Sequence, residues 1–177
     1  IVDFDPGNGI QNLSSINGRD IFICKLDQNA NYIWAKSMGS TQGEEGLSIA
    51  LDSAGSVYTT GFFSDTTDFD PGANIFNLNA IGMDNIYISK LDVDGNFVWA
   101  KSIGNTEPCH GTAIAVNNIG ATYVTGYFQG TVDFDPGTGV LNLNASVKDI
   151  FIVKLDSIGD FIWAKNFGGT SGDGGSG

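Results

Sequence analysis

The sequence predicts an all-β chain built from tandem antiparallel β-sheet repeats of about 65 residues, each resembling a propeller blade. Three observations lead there. The first is self-similarity at a fixed period: DFDPG stands at 3–7, 68–72 and 133–137, KLD at 25–27, 90–92 and 154–156, and WAK at 34–36, 99–101 and 163–165. Such a period means copies of one supersecondary unit that bury their faces against each other. The second is local: short runs rich in β-branched and aromatic residues alternate with Asp-x-x-Gly and Pro-Gly turns, and nothing shows a helical period over ten residues. The third is that both faces of the expected strands are apolar, so each sheet must be covered on both sides.

The 177 residues hold about 2.7 such units. The first is taken as 1–64, opening in mid-unit, the second as 65–129 and the third, truncated, as 130–177, together forming one segment of a propeller. An open β-array is the competing architecture. The tail GGTSGDGGSG resembles a linker, but Thr170, Gly172, Asp173 and Gly175 fall where Thr41, Gly43, Glu44 and Gly46 fall in the first copy, so it reads as repeat. The chain is therefore expected to be part of a longer protein. Twenty acidic residues against eight basic ones give a net charge of −12, which argues against nucleic acid and anionic membranes as partners. No apolar stretch approaches the length of a membrane span.

Within the middle copy, 86–92 and 97–103 should form a hairpin across Asp92-Val93-Asp94-Gly95, a type I turn closed by a left-handed glycine. Simple alternation then sets Leu91 opposite Phe97, Ser89 opposite Trp99 and Tyr87 opposite Lys101. It puts Leu91, Phe97, Trp99 and Tyr87 on one face and Ile86, Ile88, Val98 and Ala100 on the other. Ser48–Leu51 and Ser56–Phe63 form a second hairpin around Asp52-Ser53-Ala54-Gly55. DFDPG followed by IFNLN or VLNLN forms a third, turning at Pro71-Gly72 or Pro136-Gly137. One turn departs from the rule: Ala30 replaces the glycine in Asp27-Gln28-Asn29-Ala30, where a positive φ strains any residue with a Cβ.

The succession KLD-x-x-G-N-F-x-W-A-K, G-x-x-I-A-V-x-x-x-G-x-x-Y-V-T-G-x-F and T-V-D-F-D-P-G resembles the SBBP family of β-propeller repeats, and the resemblance spans essentially the whole chain. It implies a structural or binding module of a large secreted or surface-anchored protein of Bacteroidetes-type bacteria. It brings no catalytic motif.

The sharpest candidate chemistry is the repeated carboxylate pair Asp3/Asp5, Asp68/Asp70 and Asp133/Asp135, which alternation points to one face with Phe4, Phe69 and Phe134 on the other. Carboxylates and loop carbonyls suit calcium, so these six are the candidate metal ligands and calcium the one candidate cofactor. The competing reading has the second Asp capping its own turn and the first taking a lysine or a backbone donor. The run Asp92–Asn96 has no distal Glu and changes between copies, so it reads as a turn. Lys36, Lys101 and Lys165 are expected over Phe22, Tyr87 and Phe151, and Lys25, Lys90 and Lys154 beside Asp27, Asp92 and Asp156. Trp34, Trp99 and Trp163 are expected to be core residues facing Cys24, Ser89 and Val153, which makes Cys24 a small buried residue. Cys109 and His110 share a loop that differs in every copy and read as drift, not as a catalytic pair. The two cysteines define no repeated disulfide framework and leave a bridge between them open. Repeated glycines at 39, 46, 61, 104, 111 and 126 belong to bulges and turns.

The expected function is a non-enzymatic structural or adhesive β-propeller module of a large secreted or cell-surface bacterial protein. Loops at Gln42–Glu45, Glu107–His110 and Ala145–Lys148 would contact surface proteins or glycans, and other repeats or neighbouring subunits would complete the array. A carbohydrate-binding propeller, or the non-catalytic part of a secreted polysaccharide-degrading enzyme, is the alternative.

Overall fold

A computed structural model describes residues 1–16 and 18–175, and among them every regular element is a β-strand. The strands are β1 (Val2–Asp3), β2 (Asn12–Leu13), β3 (Ile21–Leu26), β4 (Tyr32–Met38), β5 (Glu45–Leu51), β6 (Val57–Phe63), β7 (Thr66–Asp68) and β8 (Asn77–Asn79). They continue with β9 (Asn85–Leu91), β10 (Phe97–Ile103), β11 (His110–Val116), β12 (Thr122–Asp133), β13 (Asn142–Leu155) and β14 (Phe161–Phe167). Two four-stranded antiparallel sheets, β5-β6-β9-β10 and β11-β12-β13-β14, follow the two-stranded sheet β3-β4. The described sheets are blade-like and lie face to face, and they do not close a ring. The DFDPG hairpin is an insertion between the second and third strands of each sheet: separate as β7-β8 in the middle copy, continuous with β12 and β13 in the third.

Turn chemistry sets the hairpins. In Asp92–Gly95 the Gly95 N–H donates to the Asp92 carbonyl at 3.1 Å and Gly95 has φ 78°. The Asp92 carboxylate takes the N–H groups of Asp94 and Asn96, each at 2.9 Å, which satisfies the turn's own donors. The same bonds recur at Asp27, Asp52, Asn117 and Asp156. Ala30 keeps this turn type, with its N–H 3.0 Å from the Asp27 carbonyl, and adopts φ 62°. A left-handed alanine costs about 1 kcal/mol. Ala30→Gly is therefore expected to raise stability by ~1 kcal/mol, read from the urea midpoint.

The simple register is corrected by a bulge. Phe97 does pair with Leu91, but Trp99 pairs with Lys90, Ala100 with Ser89, Lys101 with Ile88 and Ser102 with Tyr87. Val98 is the extra residue, and it shifts alternation by one so that Phe97 and Trp99 leave opposite faces of the sheet. β3-β4 and β13-β14 carry the same shift, so Trp34 pairs with Lys25 and Trp163 with Lys154 instead of Cys24 and Val153. Lys36, Lys101 and Lys165 accordingly face Ile23, Ile88 and Ile152, and not aromatic rings.

The corrected faces explain the two cores. One face of the middle sheet gives Tyr87, Leu91 and Ala100 to a cluster with Ile21, Ile23 and Met38 of β3-β4. The other gives Ile86, Ile88, Trp99 and Ile103 to a cluster with Phe151, Val153 and Leu155 of the last sheet. Both faces of the middle sheet are thus covered, as its two-sided apolarity requires. The tail joins the same plan: the Asp173 N–H donates to the Lys148 carbonyl at 2.6 Å, as Glu44 does to Arg19 and Cys109 to Asp84. Residues 176 and 177 of that tail lie outside the described residues.

Candidate functional site

The DFDPG carboxylates are held by their own hairpin. Asp68 Oδ1 accepts the N–H of Asp70 at 3.0 Å and of Phe76 at 2.8 Å, and Asp70 Oδ1 accepts the N–H of Gly72 at 2.8 Å. Asp3 and Asp5 repeat this with Asp5, Gln11 and Gly7, and Asp133 and Asp135 with Asp135, Leu141 and Gly137. The bond from Gln11, followed by that from Asp5, holds the Asp3 carboxyl below its ordinary range. Phe69 and Phe134 turn into the core, fully buried. Among the described residues no group of three or more His, Cys, Asp or Glu converges to hold a metal ion. With one oxygen of each carboxylate engaged by backbone donors, a calcium chelator is expected to leave the melting midpoint unchanged. A midpoint that falls with chelation and returns with added calcium would support calcium at these carboxylates.

The repeated tryptophans and lysines clasp the next blade. Trp34 Nε1 and Lys25 Nζ both donate to the Val93 carbonyl in the turn of the following sheet, at 3.3 and 2.7 Å. Trp99 Nε1 donates to the equivalent Ser157 carbonyl at 3.4 Å. The glycine of each turn makes room for the ring: a Cβ on Gly95 would stand 3.2 Å from Trp34, and one on Gly159 3.0 Å from Trp99. Lys101 reaches Asp160 of the following sheet at 3.6 Å. Lys25, Lys90 and Lys154 do not pair with the Asp of their own turn. Their ammonium groups lie over Trp34, Tyr58 and Tyr123, and Lys90 lies 3.8 Å from Asp52.

Cys109 and His110 are not loop drift. His110 opens β11, and Cys109 is fully buried, its thiol pushed up to about 11 chiefly by burial. The His110 ring stacks on Phe62 at 4.0 Å, with Nε2 3.1 Å from Asp84 Oδ2 and Nδ1 2.7 Å from the Tyr127 hydroxyl. A neutral ring protonated at Nε2 donates to Asp84 and accepts from Tyr127. Lys148 covers the Tyr127 ring at 3.8 Å. Asp84 and His110 stand where Arg19 and Glu45 stand in the first copy, and those two also form an ion pair. The junction therefore keeps an acid–base couple with its polarity reversed, and Asp84 was the residue that single-position comparison missed. Cys24 is half-buried, pairs with Ala35, and its thiol is raised by burial. Both cysteines are free thiols.

Burial lowers the His110 pKa most, the Asp84 hydrogen bond and charge oppose it, and Lys148 lowers it further. The unfolded chain thus takes up a proton near pH 6.5 that the folded chain resists. This contribution is complete above that pH and is lost as pH falls through the folded value. His110 is the chain's sole histidine, so the melting temperature should decline below about pH 6.5, and His110→Asn should flatten that part of the profile.

The expected contact loops are more structured than the sequence implied. Glu44 is buried and accepts from Thr67, Glu45 lies in β5, and Ala145–Lys148 lies within β13. Exposed apolar side chains recur in every copy at two repeat positions: Ile33, Val98 and Ile162 on the last strand of each sheet, at 47, 46 and 46% exposure, and the more exposed Ile10, Ile75 and Val140 in the DFDPG hairpins, at 72, 74 and 72%.

No family model matches the chain. It is 27% identical over 162 residues to an uncharacterized WD repeat-containing protein of Acanthamoeba polyphaga mimivirus, covering 78% of this chain and 12% of that protein. It is also 27% identical over 181 residues to the regulatory protein FlaEY of Caulobacter vibrioides, covering 89% of this chain and 19% of that protein. The chain thus spans under a fifth of the curated relatives it matches. The first likeness and the all-β sheets together fit a β-propeller-like repeat protein.

Proposed function

We infer that this chain is a non-enzymatic scaffold of the SBBP kind, a β-propeller-type module of an exported bacterial protein that acts at the cell surface as an adhesive element. The observation that carries this reading is the aliphatic tip that each inserted hairpin presents to solvent at the same repeat position, Ile10, Ile75 and Val140. Isolated exposed aliphatics are ordinary, but three at one position of a repeat form a row that folding does not require. The buried Phe69 and Phe134 anchor the second and third hairpins, and the two aspartates of each fix its shape, so these tips are held rigidly. Rigid presentation lowers the ordering cost of binding, and repetition adds avidity.

The test is binding of the chain to immobilised extracellular-matrix proteins, with a glycan array beside it. Ile10→Ser, Ile75→Ser and Val140→Ser combined should abolish protein binding while the thermal melt stays within a few degrees. Binding that survives the triple substitution, or hits confined to glycans, overturns the reading, the latter in favour of a carbohydrate-binding propeller. Brief protease treatment of intact producing cells should remove the module, and protection from it would refute the surface location.

A further inference from the structure

The sheets stack through two kinds of contact, one that repeats unchanged and one that does not. The clasp from Trp34 and Trp99 ends on a backbone carbonyl, and the Glu44 and Cys109 N–H groups donate to the Arg19 and Asp84 carbonyls at 2.8 and 2.9 Å. Every sheet offers the same backbone groups, so these bonds cannot tell one sheet from another. The side chains at the same place can. Residues 44 and 45, leading into the second sheet, are Glu-Glu, and residues 109 and 110, leading into the third, are Cys-His. Glu44 is buried, and its carboxylate accepts from the buried Thr67 hydroxyl at 3.0 Å, in the arm of the second sheet. At the same repeat positions Cys109 and Val132 are fully buried in one apolar cluster. Glu45 pairs with Arg19 of the sheet before it, whereas His110 pairs with Asp84 of the sheet before it. Both residues of the dipeptide thus change between copies, and each time their partners change to match.

We propose that these dipeptides determine which sheet stacks on which: residues 45 and 110 select the sheet that belongs before them, and residues 44 and 109 tie that choice to the sheet's own arm. The clasp supplies the attraction common to all sheets, and the side-chain couples supply the discrimination. Set on the first sheet, the third would bring His110 against Arg19. His110 accepts at Nδ1 from Tyr127, so its Nε2 is a donor, and two donors would meet with no acceptor between them. Set on another second sheet, the second would bring Glu45 against Asp84, two carboxylates that repel. Exposed couples discriminate weakly, and the Arg19 side chain is 76% exposed. The weight therefore falls on the second junction, where the side chains of Asp84 and His110 are 26 and 16% exposed. At the arm, exchanging the dipeptides would set the Glu44 carboxylate against Val132, which has no donor for it, and Cys109 against Thr67.

The test exchanges the couples between junctions. Glu45→His combined with His110→Glu leaves the composition of the chain unchanged and mismatches both junctions. This exchange should melt about 3 °C or more below the parent chain at pH 7. Adding Arg19→Asp and Asp84→Arg sets an acid opposite a base at each junction again and should recover at least half of the loss. The remainder is the stacking on Phe62, which a carboxylate does not replace. A two-residue exchange that melts with the parent overturns the proposal. So does a four-residue exchange no more stable than the two-residue one, because the couples then do not recognise their partners. On the arm side, Glu44→Cys and Thr67→Val together should cost less than the sum of their separate costs in the urea midpoint. Strict additivity there overturns the link between the dipeptide and the arm. None of these substitutions touches Ile10, Ile75 or Val140, so the result is independent of the adhesion assay.

Discussion

Phe134→Ala is expected to cost the chain about 3–5 kcal/mol, a large share of the reserve of a domain whose total stability is of order 5–15 kcal/mol. The ring is fully buried and stands 5.0 Å from both Phe128 and Phe151, edge-on to the first and tilted to the second. It packs the inserted hairpin onto the centre of the last sheet, so its removal opens a cavity between the two. The flanking Asp133 and Asp135 are engaged by backbone N–H groups of the same hairpin and cannot hold it to the sheet. A urea titration should show a large fall in midpoint. Phe4→Ala should cost clearly less, because that ring is only half-buried and packs on the exposed Phe22. Equal losses at the two sites would show that the hairpin is not anchored through this residue.

What the sequence made legible is what short-range chemistry decides. Each Asp-x-x-Gly turn closes on bonds within five residues, and every copy repeats them, so strand positions and hairpins follow from the chain itself. The Val98 bulge was not legible, because F-V-W-A reads as unbroken alternation and the extra residue shows only in which core each side chain joins. That single residue moved Trp99 to the other face of the sheet, where it is still a core residue and also clasps the next blade. His110 was illegible for another reason. Compared one position at a time it looks like drift, whereas compared as a pair with Asp84 it matches Arg19 and Glu45 with the acidic and basic residues exchanged. The pairing joins residues 26 positions apart, and only the fold brings them together.

The length of the unit connects the insertion to the relatives. Blades of the WD type run to about 40–45 residues, well short of the period here. Residues 64–84, between β6 and β9, contain the DFDPG hairpin, and without them the unit falls to about 44 residues. A four-stranded blade of ordinary size thus carries an added arm. The arm is rooted in the cores through Phe69 in the middle copy and Val132 and Phe134 in the third, while its most exposed aliphatics, Ile75 and Val140, stand away from them.

Gly126→Ala should be at least as damaging as loss of Phe134, through the opposite mechanism. Gly126 pairs with Gly111 beside the bulge in β11, and a Cβ there would stand 1.9 Å from the His110 carbonyl oxygen. The obstacle is backbone in a neighbouring strand, so no rotamer change relieves it, and β11 must move off β12. His110 lies on the strand that moves, and its stacking on Phe62 and its bonds to Asp84 and Tyr127 would go with it. The expected cost is ~3 kcal/mol or more, together with loss of the His110 contribution to the pH profile. Gly61→Ala repeats the collision in the middle sheet, 1.8 Å from the Glu45 carbonyl, and should match it in size. If either alanine variant melts within a few degrees of the parent chain, the close approach of these strands is wrong, and with it the placement of His110 at the junction.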